Sequence, residues 1–148
     1  MYKGQQYGNI FLAIFNGDVT STQIESFAAD IQTITEKESE VFLIALPINV
    51  ASFPTGLSSI LQSLSSFKSA TEKVYRFYGI RYSPIMTFIA NLATQVLKIK
   101  TNTVEAKTIE EMFTIMEKEA VLYPKLKASI NYLPEIKEQI NQISNAPI

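Results

Sequence analysis

Residues 41–48, Val-Phe-Leu-Ile-Ala-Leu-Pro-Ile, are apolar at odd and even positions alike. A strand with one wet face alternates apolar with polar residues. A strand apolar on both alternations is covered on both faces. Such a strand belongs inside a sheet that lies between two layers of helices. Pro47 has no N–H for a ladder, so the strand is expected to end near Leu46.

The rest of the chain alternates in the way this arrangement requires. Residues 10–15, Ile-Phe-Leu-Ala-Ile-Phe, form a short apolar run that stops at the turn signal Asn16-Gly17. Tyr2 to Tyr7 precedes it as a short edge strand, with Tyr7-Gly8-Asn9 as the hairpin turn. Thr20 and Gln23 stand as a capping box before a stripe of Ile24, Phe27, Ala28, Ile31 and Ile34. A loop over Asn49 to Thr55 leads to a second helix with the stripe Leu57, Ile60, Leu61, Leu64 and Phe67. Val74 to Ile80 reads as a strand. Ser83-Pro84 then opens a helix over Ile85, Phe88, Ile89, Leu92 and Val96. Residues 103–106 are short and polar enough for an edge strand. Thr108 and Glu111 form a second expected capping box, before Ile109, Met112, Phe113 and Met116.

Strands alternating with helices predict an α/β fold. Its sheet is mixed but mostly parallel, four- to five-stranded, with helices on its faces. Residues 1–120 form this domain. Residues 121–148 are expected to be a C-terminal helical extension, interrupted by Pro124 and Pro134. Its stripe of Leu126, Ile130, Leu133, Ile136, Ile140 and Ile143 packs on the domain or on a partner.

Composition narrows the chemistry. The 148 residues include no His, no Cys and no Trp, and the net charge is −1. Without His or Cys there is no imidazole base, thiolate nucleophile, disulfide or soft metal site. The carboxylates that remain, such as Glu117 and Glu119, fall in helix-end runs with interspersed Lys and read as solvated faces rather than hard-metal ligands. Near-neutral charge gives nucleic acid no electrostatic footing. No run reaches the roughly 18 apolar residues of a membrane span. The first residues lack an apolar signal core, so a cytoplasmic location is expected. No cofactor is implied, and neither G-x-G-x-x-G nor G-x-x-x-x-G-K-[ST] occurs.

In such sheets ligands sit beyond the carboxyl ends of the strands. The candidate contacts there are Asp18, Asn49, Ser52, Arg81 and Tyr82. Asp18 also suits a helix N-terminus, and Arg81 a solvated loop. Thr55 precedes Gly56 at the start of the Ser-rich helix. It is either the N-cap or a hydroxyl whose phosphate the helix N-terminus would favour. Ser58 and Ser59 lie on that helix's uncharged face, which is easily desolvated against a partner or against the same chain. From Val41 to Thr71 the only charge is Lys68.

The order of elements resembles the STAS-like superfamily, the SpoIIAA-like fold of anti-sigma-factor antagonists, over roughly Gly8 to Glu119. The resemblance rests on the strand entering Asn16-Gly17-Asp18, on Phe53-Pro54-Thr55-Gly56-Leu57, and on Thr108-Ile109-Glu110-Glu111. The family loop reads Asp-Ser-Ser-Gly-Leu, and Thr55 holds the place of its phosphorylatable hydroxyl. Phe53-Pro54 replaces the acid and first Ser. The resemblance implies a non-catalytic regulatory or protein-interaction module, with a protein partner or a homodimer. The alternatives are a domain binding a small apolar or anionic molecule, and an enzyme working through Asp18 and Arg81.

Overall fold

The computed structural model describes residues 1–48, 50, 74–81, 83 and 103–145. The second and third helices expected from the sequence lie outside the described residues. The strands are β1 (Tyr2–Tyr7), β2 (Ile10–Asn16), β3 (Val41–Ile48), β4 (Val74–Ile80) and β5 (Thr103–Ala106). The helices are α1 (Ser21–Lys37), α2 (Ile109–Glu119), α3 (Pro124–Ser129) and α4 (Leu133–Asn145), with a 3-10 turn (Ile130–Tyr132) before α4. The sheet runs β1-β2-β3-β4-β5. β1 is antiparallel to β2, and the other pairings are parallel. This is the mixed, mostly parallel α/β sheet read from the sequence, with an additional C-terminal helix. No helix among the described residues is long and apolar enough to cross a membrane.

The two alternations of β2 and β3 feed two separate cores. Phe11, Ala13, Phe15, Val41, Leu43 and Ala45 meet Ile24, Phe27, Ile31 and Ile34 of α1. Ile10, Leu12, Ile14, Phe42, Ile44 and Leu46 meet Met112, Phe113 and Met116 of α2, together with Leu126, Leu133, Ile136, Ile140 and Ile143. The stripe of residues 126–143 is thus buried against the sheet, with Ile130 partly buried beside it. The Thr20–Gln23 capping box is present in both directions.

β3 continues through Pro47 to Ile48, beyond the end expected near Leu46. The carbonyl of Ile48 accepts from the Gly17 N–H, so it faces the β2 side. Successive residues of a parallel strand alternate between neighbours, so Pro47 faces the β4 side. There the described pairing already stops at Ile44, and the missing N–H costs no ladder bond.

At the other edge β1 passes close under α1. A Cβ added to Gly4 would fall within 3 Å of the Tyr2 hydroxyl, the Phe11 ring and the Asp30 carboxylate. Gly8, at φ 61°, turns the chain between β1 and β2.

Candidate functional site

The carboxyl ends of the parallel strands hold Asp18 after β2 and Arg81 after β4, both exposed. β3 runs between those strands, so their backbones stand about 10 Å apart. The Arg81 amide donates to the Ala106 carbonyl at 2.7 Å, tying the ends of β4 and β5 together. After β5 the expected second capping box is only half made. Thr108 accepts from the Glu111 N–H at 3.1 Å, but the Glu111 carboxylate takes the Lys107 N–H at 2.8 Å rather than that of Thr108. The Asn16 side-chain oxygen is buried with no hydrogen-bond partner among the described residues. Asn49, Ser52, Thr55, Ser58, Ser59 and Tyr82 lie outside the described residues.

The densest polar cluster among the described residues sits at the opposite end of the sheet, where the sequence reading placed nothing. The register of β3 with β4 steps from Val41↔Val74 to Phe42↔Arg76, leaving Tyr75 as an extra residue. Such a bulge re-aims the side chains around it. Tyr75 and Arg76 both reach the face that α2 covers. Tyr75 packs on Phe42 and Tyr123, with ring centroids 5.7 and 5.3 Å away. The Arg76 guanidinium lies 5.5 Å from the centre of the Tyr123 ring. It forms a two-pronged ion pair with Glu119, in which Nε donates to Oε1 at 3.1 Å and the second nitrogen donates to Oε2. The Tyr78 hydroxyl donates to the same Oε1 at 2.6 Å. Glu119, expected on a solvated face, is therefore a half-buried anchor whose side chain is 17% exposed.

The electrostatics follow from burial. Burial first, and then the bond and charge of Glu119, push the Tyr78 phenol far above its ordinary value; Arg76 pulls weakly the other way. Burial opposes the Arg76 charge, but its bonds to Glu119 outweigh that and hold the guanidinium above its ordinary value. Both oxygens of Glu119 already accept hydrogen bonds, and Tyr78 stays a protonated donor. The cluster clamps β4 to α2 and leaves no carboxylate oxygen without a donor. The signal in the sequence was Arg76 itself, one charge inside an otherwise apolar strand, which has to find a partner when buried.

A groove of about 570 Å³ runs between α2 and α4. Phe113 and Ile140, each 2% exposed, form its floor, and Glu110, Glu117 and Lys137 stand on its rim. The Lys137 ammonium lies 5.1 Å from the centre of the Phe113 ring. No cluster of three His, Cys, Asp or Glu that could hold a metal occurs among the described residues.

No family model matches the sequence. No curated protein matches it either. Among solved structures the chain is similar to that of the anti-sigma factor antagonist SpoIIAA in its unphosphorylated form. The two are 13% identical, with 79% of this chain and 98% of that chain covered and a TM-score of 0.48.

Proposed function

We propose that the chain is a non-catalytic regulatory or protein-interaction module that takes its partner by strand addition at β1. The observation that carries this reading is the outer edge of β1, which pairs with no strand among the described residues. Met1 and Asn16 exchange hydrogen bonds in both directions. In an antiparallel ladder the bonded positions alternate, so Lys3, Gln5 and Tyr7 also face β2. The peptide groups of Tyr2, Gly4 and Gln6 point outward, where a partner strand can bond them. The opposite edge among the described residues, β5, shows four residues and carries Glu105, a poorer template. A non-catalytic role is further supported by the clamp, whose ionisable groups are engaged with one another. In this reading residues 1–120 are the binding domain, residues 121–148 are its helical extension, and the module acts in the cytoplasm.

Gln6→Pro tests the reading. It removes an outward N–H and leaves the ladder to β2 whole. Cross-linking from Lys3 is expected to join a partner strand or a second copy, and Gln6→Pro is expected to weaken that association about tenfold, or 1.4 kcal/mol. Association unchanged by Gln6→Pro would remove β1 as the edge. Lys3 cross-links confined to the same chain would remove the function.

The α2–α4 groove supports a second reading, a site for a small molecule with an apolar body and an anionic end. Its volume lies within the range of ligand pockets, and Lys137 beside the Phe113 floor would meet such a molecule. A ligand present at about 100 times its Kd raises stability by about 2.7 kcal/mol. A thermal-shift screen of fatty acids and nucleotides is expected to find one whose effect Lys137→Ala abolishes. A screen in which no compound moves the midpoint sinks this reading.

A further inference from the structure

The connection between α2 and α3 is short and firmly held. The N–H groups of Leu122 and Tyr123 both donate to the Glu119 carbonyl, at 2.9 and 3.0 Å, and the Tyr123 carbonyl accepts from Lys127 at 2.9 Å. This pinned turn presents Val121 and Leu122 side by side at 81% and 72% exposure, above every other large hydrophobic residue among those described. Single exposed apolar side chains are ordinary; adjacent ones on a fixed backbone form a contact surface. The next residue, half-buried Tyr123, packs its ring on that of Tyr75, which is 40% exposed. Lys118, Lys125 and Lys127, three to five residues along the chain from the pair, are exposed. Of the acids nearby among the described residues, Glu119 is neutralised by Arg76 and Glu38 takes a bond from the Asn9 side-chain amide, which leaves Glu117 and Glu40 as the opposing charges.

The chemistry separates two classes of occupant. Protein interfaces are depleted in Lys at their contacts. A membrane interface is matched by an apolar tip, a belt of Tyr and a surround of Lys whose stems reach back to the headgroups. Lys near an anionic leaflet adds attraction that falls away within a Debye length. We infer that the Val121–Leu122 turn docks the protein on an anionic phospholipid surface, with both side chains inserted below the headgroups and the three lysines on the phosphates. This contact is independent of the β1 edge.

The test uses the full chain and vesicles of equal parts phosphatidylglycerol and phosphatidylcholine, against phosphatidylcholine alone. Because the protein has no Trp, Leu122→Trp supplies a single reporter at the tip. The wild type is expected to sediment with the anionic vesicles at least about tenfold more strongly than with neutral ones, and to lose most of that binding between about 0.01 M and about 0.15 M salt. Emission from Leu122→Trp is expected to move to the blue on anionic vesicles. The double variant Val121→Ser, Leu122→Ser is expected to bind at least about tenfold more weakly with an unchanged circular dichroism spectrum, and Gln6→Pro to bind as the wild type does. Three results would overturn the inference: no sedimentation with anionic vesicles at low salt, equal binding by the double Ser variant, or a blue shift that follows protein concentration without vesicles. The last would assign the turn to a second copy of the chain.

Discussion

Replacing Glu119 with alanine is expected to lower the unfolding free energy by about 3 kcal/mol, read from denaturant unfolding at neutral pH. Removing one member of a buried pair strands the other, and such losses run to about 3–5 kcal/mol. Here Arg76 would keep its charge at 22% side-chain exposure without its carboxylate partner. The Tyr78 hydroxyl, in a side chain that is fully buried, would lose its one acceptor among the described residues. The partial exposure of the pair places the loss at the lower end of the range. Replacing both members with apolar residues, as in Arg76→Met with Glu119→Leu, is expected to cost less than Glu119→Ala alone. A loss below about 1 kcal/mol in Glu119→Ala would show that the clamp does not hold α2 to the sheet.

Alkali is expected to unfold the protein steeply from pH 10 upward. The phenols of Tyr2 and Tyr78 are raised from 10.0, first by burial and then by Asp30 and Glu119 respectively. Tyr7 is raised in the same direction, by burial and then by the charge of Glu135. Above pH 10 the unfolded chain releases phenolic protons that the folded state keeps on Tyr2 and Tyr78. The unfolded state then binds fewer protons, so stability falls as pH rises. The contribution of each phenol is whole below pH 10 and declines by about 1.4 kcal/mol per pH unit above it, or about 2.7 kcal/mol for the two. Of the seven tyrosines, these two are expected to show phenolate absorbance only when circular dichroism reports unfolding. Tyr2→Phe and Tyr78→Phe each remove one contribution to the slope. Titration of all seven near pH 10 with the fold intact would contradict this account.

What the sequence made legible was decided by periodicity. β3 could be read because both of its alternations are apolar, and each alternation does face a different helical layer. The α1 cap could be read because a hydroxyl and an amide three residues apart act locally. Pro47 misled because its consequence depends on which neighbour its missing N–H would face, and that is a property of the sheet. The clamp escaped for a similar reason. Arg76 announced a need for a partner, but the choice of Glu119, 43 residues away, rests on a bulge at Tyr75 that no local pattern encodes. The strand-end residues Asp18 and Arg81 were located correctly along the chain, yet β3 lies between them.

The two cores have a consequence in time. The cover that α1 gives one face of the sheet is synthesised between β2 and β3, before the sheet is complete. The cover that the described residues give the other face comes from residues 112–143, at the end of the chain. At about 5–20 residues per second, several seconds of translation separate β3 from α4. During that interval Phe42, Ile44 and Leu46 wait for α2 and α4 to emerge. Among the described residues nothing covers that face during the interval, so slowed translation is expected to promote aggregation of the nascent chain.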